Sequence, residues 1–169
     1  MKRTANLQNG ITLIELVITI VVISILAGIA TTKINISDIT LGQQAEQFAA
    51  DVRHAQALAI HWGCELTLTV TAATAHYEVS SKQSYAGKPC NVATTLIKDP
   101  VSGADFYITL TNGVQFATDA VFYFDSFGRP INAAGTIINT DTVFDLTANG
   151  VTYRITIIQL SGYVTVVKI

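Results

Sequence analysis

The stretch GITLIELVITIVVISILAGIA, residues 10–30, contains a single charged side chain, that of Glu15. A carboxylate in hydrocarbon is costly unless it is protonated or paired. Twenty helical residues at about 1.5 Å each span about 30 Å, the thickness of a bilayer core. Residues 11–30 therefore predict a membrane-spanning helix in which Glu15 has a function.

The residues before this segment carry positive charge, since Lys2 and Arg3 fall within residues 1–9, which contain no acidic residue. Under the positive-inside rule the N-terminus stays in the cytoplasm and the rest of the chain lies outside. A secretory signal with a cleavage site at AGIA, residues 27–30, is an alternative, although its apolar core would be shorter.

The composition indicates a folded domain with an appendage. Of the 169 residues, 50% are hydrophobic and 13% are charged, which is too apolar for a disordered chain. The net charge of -2, and Lys168 as the only basic residue after Arg154, argue against nucleic acid as the main partner. Cys64 and Cys90 fit one disulfide formed after export, and the alternative is two buried free thiols.

An apolar stripe predicts that the helix continues beyond the membrane segment. From Leu41 to Trp62 apolar residues recur at alternating steps of four and three, which is the period of one helix face. Gly63 follows as a stop signal, so one helix is expected from about Ile11 to about Trp62, with a loosened stretch at Thr31–Thr40. The stripe consists of Leu41, Ala45, Phe48, Val52, Ala55, Ala59 and Trp62.

The rest of the chain has the alternation and the turn signals of antiparallel strands. Asn112-Gly113, Asn149-Gly150 and Ser161-Gly162 are typical hairpin turns. The predicted fold class is therefore α+β, with the helix packed on an antiparallel β-sheet head. Strands are expected at Cys64–Ala72, His76–Ser81, Phe106–Thr111, Val114–Thr118, Val121–Asp125, Thr142–Leu146, Val151–Ile158 and Tyr163–Ile169.

The start of the chain resembles a known signal. The basic leader, the residues G-I-T-L-I-E and the apolar helix resemble the N-terminus of type IV pilins and type II secretion pseudopilins, whose pattern is G-F-T-L-x-E. This sequence has Ile11 where the family usually has phenylalanine. The resemblance implies cleavage between Gly10 and Ile11 by a prepilin peptidase, followed by N-methylation of Ile11. It also implies that Glu15 sets the register of an incoming subunit.

Cleavage would give Glu15 a partner. The new amine on Ile11 would lie four residues before Glu15, and the carboxylate could pair with that amine or with a neighbour's. In the low-dielectric bilayer such a pair is worth more than on a surface. The alternative is a glutamate that extends to the membrane interface near the cytoplasmic end of the helix.

The head resembles minor subunits of this superfamily. The helix AEQFAADVRHAQALAIHWG, the stretch VFYFDSFGRP and the ending GYVTVVKI are similar to the H-type minor pseudopilins and the FimT-like minor pilins, and to minor pilins of mannose-sensitive haemagglutinin type pili. The C-terminal disulfide loop common in major pilins is missing from the sequence, which favours a minor subunit. FDSFGRP, residues 124–130, is interpreted as a tight turn with Gly128 at positive φ, and the alternative is an exposed binding loop.

The resemblance implies four regions: a cleaved leader at 1–10, a transmembrane or filament-core half-helix at 11–30, an amphipathic half-helix at 31–63 and a periplasmic β-rich head at 64–169. It places the chain in the inner membrane with a cytoplasmic N-terminus, and afterwards in a pilus or pseudopilus. Its expected partners are other pilin or pseudopilin subunits, the prepilin peptidase and the inner-membrane assembly platform, with no nucleic acid.

The sequence contains no pattern typical of catalysis or metal binding. His54 and His61 would lie about 10 Å apart on the helix, too far to share a metal, and are expected on a solvated face. The aspartates are scattered and are expected in turns, without the clustering that calcium favours. No enzyme activity, metal or cofactor is expected. The leading hypothesis is a minor pilin or pseudopilin that primes or caps a filament, and the alternative is a tip binding module, either an adhesin or a DNA-uptake pilin.

Overall fold

A computed structural model describes residues 11–30, 36–84, 86–88, 90, 95–99 and 103–169. The predicted leader 1–10, with Gly10, and residues 31–35 lie outside the described residues, so an unbroken helix over 11–62 stays a prediction. In the described part the helices are α1 (Leu13–Ala30) and α2 (Ile36–Trp62). The strands are β1 (Leu66–Thr71), β2 (His76–Ser81), β3 (Tyr107–Thr109), β4 (Gln115–Phe116), β5 (Ala120–Phe124), β6 (Pro130–Ile131), β7 (Thr142–Ala148), β8 (Val151–Ile157) and β9 (Val164–Lys168).

The chain divides into two compact units, residues 1–35 and 36–169. The first unit contains α1, and the second contains α2 with the strands β1 to β9. Among the described residues, no helix has the length and hydropathy required to cross a membrane.

The apolar stripe of α2 is buried, as its period predicts. The helix packs on β1 of one sheet and on β7, β8 and β9 of the other. The ring of Phe48 lies at the centre of this core, with centroid distances of 4.9 Å to Tyr77, 5.1 Å to Phe116 and 5.3 Å to Phe144. Trp62 is half-buried. The fully buried stripe residues are Leu41, Ala45, Phe48, Val52, Ala55 and Ala59.

The end of α2 confirms the stop signal at Gly63. Gly63 has a φ of 62°, in the left-handed region. Its N–H donates to the carbonyl of Ile60 at 3.3 Å, and the N–H of Cys64 donates to the carbonyl of Ala59 at 3.1 Å. These two bonds form a Schellman motif, which satisfies carbonyls that the helix end would otherwise leave unpaired.

Two antiparallel sheets cover α2. The first has the order β3-β2-β1-β5-β6 and the second the order β4-β7-β8-β9. Asn149-Gly150 joins β7 to β8 with φ values of 50° and 80°, which is the two-residue turn expected for Asn-Gly. The predicted hairpin of the last two strands is also present as β8 and β9. The predicted α+β class is therefore confirmed.

The predicted hairpin at Asn112-Gly113 is wrong. Both residues have positive φ, but β3 pairs with β2 in the first sheet, whereas β4 pairs with β7 in the second. The side chain of Gln44 on α2 accepts from the N–H of Thr111 at 2.9 Å and donates to its carbonyl at 3.1 Å. In a hairpin the backbone of Thr111 would bond to the facing strand, whereas here it bonds to α2. The turn at Asn112-Gly113 therefore connects a strand of the first sheet to a strand of the second.

Strand β6 was not expected from the sequence, since Pro130 was interpreted only as the end of a turn. β6 pairs with β5 through Tyr123 opposite Ile131 and Phe124 opposite Pro130. Proline cannot donate to a strand ladder, which is consistent with the place of β6 at the edge of its sheet.

Candidate functional site

The N-terminal motif forms the cap of α1. Thr12 directly precedes the helix, and its Oγ1 accepts a hydrogen bond from the N–H of Glu15 at 3.3 Å. The N–H of Leu16 donates to the carbonyl of Thr12 at 3.1 Å. Thr-x-x-Glu at a helix start is the sequence pattern of a capping box. A carboxylate in the first turn also interacts favourably with the positive end of the helix dipole. The sequence interpretation missed this cap, although its signal was present in T-L-I-E.

The surface of α1 is apolar and exposed. Every side chain from Ile11 to Ile25 is exposed in the described structure. Its polar hydroxyls bond to the helix itself, Thr19 to the carbonyl of Leu16 at 2.8 Å and Ser24 to the carbonyl of Ile20 at 2.7 Å. Between Ile11 and Ile25 the surface of α1 is therefore apolar except for Glu15 and a few hydroxyl groups, of which those of Thr19 and Ser24 are bonded within the helix.

The predicted site residues lie in separate parts of the chain. Gly10 lies outside the described residues, whereas Ile11 and Glu15 lie at the start of α1. Cys64 and Cys90 form a disulfide whose two residues are buried, which confirms the expected pairing. The bond closes a loop of 26 residues next to the end of α2, and its chain-entropy stabilisation is about 3.5 kcal/mol.

The FDSFGRP stretch is a tight turn organised by Asp125. Its buried carboxylate accepts from the N–H of Phe127 at 2.9 Å and from the N–H of Arg129 at 2.8 Å. The guanidinium of Arg129 lies 2.7 Å from the same carboxylate and 5.1 Å from the ring centroid of Phe127. Gly128 has a φ of 76°, as the turn interpretation predicts. The ring of Phe127 is nevertheless 73% exposed, so the turn also presents an aromatic surface.

A second turn lies beside this one, and Gln56 of α2 holds the two together. Its Nε2 donates to the carbonyl of Gly128 at 2.7 Å and to the carbonyl of Ser161 at 2.9 Å. A Cβ on Gly128 would lie 2.7 Å from Cδ1 of Ile60, so the turn is packed directly on the helix.

Four large apolar side chains are exposed around these turns. The exposed fractions are 53% for Ile60, 73% for Phe127, 57% for Leu160 and 65% for Tyr163. Leu160 has a φ of 63°, an unusual conformation for a branched residue, and such strain is commonly found at functional positions. These residues are called the two-turn patch.

An acidic cleft lies on another side of the head. Its volume is about 630 Å³, and its lining includes Asp51, His54, Asp99, Asp105 and Tyr107. The hydroxyl of the buried Tyr77 donates to Oδ2 of Asp51, and Gln47 Nε2 donates to Oδ1 at 2.9 Å. Among the described residues, no group of three or more His, Cys, Asp or Glu side chains is placed to hold a metal ion.

His54 differs from its expected place on a solvated face. Its ring stacks on Phe106 with a centroid distance of 6.1 Å and an interplanar angle of 19°. Its Nε2 is buried, and within the described structure it has no hydrogen-bond partner. His61 is exposed, as expected. The difference arises because Phe106, which directly precedes β3, stacks its ring on that of His54, a long-range contact that the helical period does not predict.

Replacing Tyr77 by phenylalanine is expected to lower the free energy of unfolding at pH 7 by about 1–3 kcal/mol, because Asp51 loses a donor. Burial, with the Asp51 carboxylate beside it, raises the pKa of Tyr77. In the wild type the unfolded tyrosine ionises above about pH 10 while the folded one stays protonated, so stability falls as the pH rises further. The Tyr77→Phe variant has no such ionisation. The difference in unfolding free energy between wild type and variant should therefore be smaller at pH 11 than at pH 7, as measured by urea unfolding. Tyr163→Phe, at an exposed position, is the control, and an equal deficit for Tyr77→Phe at both pH values would contradict the assignment.

Comparison with known proteins adds two findings. Residues 5–31 match the prokaryotic N-terminal methylation motif. The structure is similar to that of the minor pseudopilin EpsH from the type 2 secretion system of Vibrio cholerae, with 16% identity, a TM-score of 0.50, and coverage of 75% of this chain and 95% of that chain. No curated protein matches the sequence significantly. At this identity the structural likeness shows the fold alone.

The motif and the fold together confirm the predicted resemblance to the type IV pilin and pseudopilin superfamily. The methylation motif covers the end of the chain that contains Gly10, Ile11 and Glu15. The head is pseudopilin-like, with a helix on antiparallel sheets.

Proposed function

We propose that this chain is a minor pilin or pseudopilin, a structural subunit of a type IV pilus or of a type II secretion pseudopilus. The observation that carries the proposal is the methylation motif at the start of an exposed apolar helix, in a chain whose head has a pseudopilin fold. An apolar helix of this kind would leave lipid for the packed helices of a filament without exposing new polar groups to either surrounding.

The four regions of the chain would act in sequence. The leader 1–10 would remain in the cytoplasm and be removed between Gly10 and Ile11 by a prepilin peptidase, with methylation of Ile11. Residues 11–30 would hold the subunit in the inner membrane and then enter the filament core. Residues 31–63 would join that anchor to the periplasmic head at 64–169.

The role of a minor subunit would be to prime or cap the filament. What supports this proposal is the likeness of the fold to that of a minor pseudopilin. The inner-membrane assembly platform would receive the subunit, and Glu15 would align its helix with that of a neighbouring subunit.

Processing gives the direct test of this function. Gly10→Val is expected to block cleavage, so that the chain keeps its leader and is missing from the sheared filament or pseudopilus fraction. Intact-mass spectrometry of the membrane fraction measures the leader and the N-methyl group, and immunoblotting measures incorporation. Asn9→Ala is the matched control and should be processed normally. A wild-type chain that keeps residues 1–10 in cells with an active prepilin peptidase would overturn the proposal.

A further inference from the structure

The first turn of α2 is helical although its residues favour helices poorly. The sequence predicts a loosened stretch at Thr31–Thr40, whereas the structure has residues 36–40, I-S-D-I-T, in α2. Isoleucine, serine, aspartate and threonine all have lower helix propensities than the alanines and glutamines that follow. Local preference therefore does not account for this turn, and a contact with the rest of the head is expected to stabilise it.

Burial of apolar surface does not supply that contact. Among the described side chains of the turn, Ile39 is 53% exposed, and Asp38 and Thr40 are half-buried. The buried stripe begins only at Leu41. Apolar packing therefore holds α2 to the sheets from Leu41 onward, and the turn before it depends on another kind of contact.

An ion pair joins the first turn of α2 to the last strand. Lys168 Nζ on β9 lies 2.5 Å from Oδ2 of Asp38, and the exposed fractions of the two side chains are 51% and 28%. The other carboxylate oxygen of Asp38, Oδ1, is buried and has no hydrogen-bond partner among the described residues. A partly buried carboxylate is costly unless a cation or a donor compensates it. The helical position of Asp38 therefore depends on Lys168.

The strands direct Lys168 toward the helix. Lys168 is opposite Tyr153 in the β8–β9 pair, and facing residues of neighbouring strands extend to the same side of a sheet. Tyr153 extends toward α2, since a Cβ on Gly42 would lie 3.0 Å from its Oη. The N–H of Ile169 donates to the carbonyl of Thr152 at 3.0 Å, which fixes the last residue of the chain to β8. The end of the sheet therefore preorganises the ion pair.

We propose that Lys168 and Asp38 form a latch that closes the last strand on the first turn of α2 and sets the residue at which the folded head begins. With the latch closed, the head begins at Ile36. Without it, residues 36–40 would unwind and the head would begin at Leu41. These residues span about 7.5 Å as a helix and about 17 Å when extended, so the chain between α1 and the head would lengthen by about 10 Å.

Hydrogen exchange of the full chain in detergent, measured by mass spectrometry, tests the latch. In a helix that begins at Ile36, the N–H groups of residues 40–42 donate to the carbonyls of residues 36–38, so their exchange reports opening of the first turn. Lys168→Met keeps an unbranched apolar side chain but removes the charge. Exchange at residues 40–42 should become about fivefold faster, which is the upper range for a partly exposed ion pair.

A second lysine provides the matched control. Lys98 forms an ion pair with Asp105 at the same N–O distance of 2.5 Å, in another part of the head. Lys98→Met should leave exchange at residues 40–42 unchanged. In Lys168→Met itself, exchange beyond Ala45 should not change, because the stripe that packs on the sheets remains buried.

A second background separates the ion pair from other effects of the substitution. In chains that carry Asp38→Asn, Lys168→Met should have no further effect, because the pair is already lost. Salt at about 1 M should speed exchange at residues 40–42 in the wild type but not in the double variant. Unchanged exchange in Lys168→Met, or the same acceleration in the Asp38→Asn background, would overturn the proposal. The inference does not require the proposed function, because exchange is measured on the isolated chain, and the processing experiment tests that function separately.

Discussion

Glu15→Ala is expected to reduce incorporation of the chain into filaments by roughly 100-fold. After cleavage the amine of Ile11 would enter the apolar filament core together with Glu15, and an unpaired charge at the centre of an apolar layer costs about 2.5–3.5 kcal/mol on insertion scales. Each 1.4 kcal/mol changes an equilibrium tenfold, so the loss of the pair corresponds to about two orders of magnitude. The measurement is the ratio of filament to membrane chain, by quantitative immunoblot, with cleavage of the leader confirmed by mass spectrometry.

Three further variants separate the charge of Glu15 from its position in the cap of α1. Glu15→Gln removes the charge but keeps a side chain suited to a capping box, whereas Glu15→Asp keeps the charge. Thr12→Ala removes the hydroxyl that accepts the N–H of residue 15 and leaves the carboxylate in place. Because a lost cap costs about 1 kcal/mol, Thr12→Ala should reduce incorporation about fivefold. Near-normal incorporation of Glu15→Gln would mean that the cap, and not the charge pair, is the function of Glu15.

The elements that local patterns determine were predictable from the sequence. The steps of three and four between Leu41 and Ala59 gave the buried face of α2, because side chains at those spacings share one side of a helix. The strand at His76–Ser81 was predicted with the bounds that the structure gives it. The stop at Gly63 was predictable because glycine adopts positive φ without strain.

The features that depend on distant contacts were not predictable. The two-turn patch requires Gln56 to reach carbonyls 72 and 105 residues away, and no local pattern contains that information. The Asn-Gly pair at 112–113 has the expected dihedral angles but joins two sheets, because a turn sequence fixes its own φ and not the partner of the next strand. The exposure of Phe127 corresponds to the alternative interpretation of FDSFGRP as an exposed loop, whereas no sequence pattern indicated the exposure of Leu160.

The ring of Phe48 is expected to contribute far more to the stability of the head than any exposed side chain. Phe48→Ala is expected to lower the free energy of unfolding by about 3–5 kcal/mol, the usual cost of removing a buried aromatic ring. The ring is fully buried and contacts Tyr77 of the first sheet and Phe116 and Phe144 of the second. Its removal leaves a cavity at the point where α2 holds both sheets, so neighbouring side chains have little freedom to fill it.

Phe127→Ala is the matched control for this variant, since it removes the same ring from an exposed turn. It should change the free energy of unfolding by no more than about 0.5 kcal/mol, as is usual for surface substitutions. Both variants are unfolded by urea as the full chain in detergent, with the Cys64–Cys90 disulfide intact. A loss below about 1 kcal/mol for Phe48→Ala would show that the ring is not at the centre of the core. A large loss for Phe127→Ala would show that its ring, although exposed, stabilises the head.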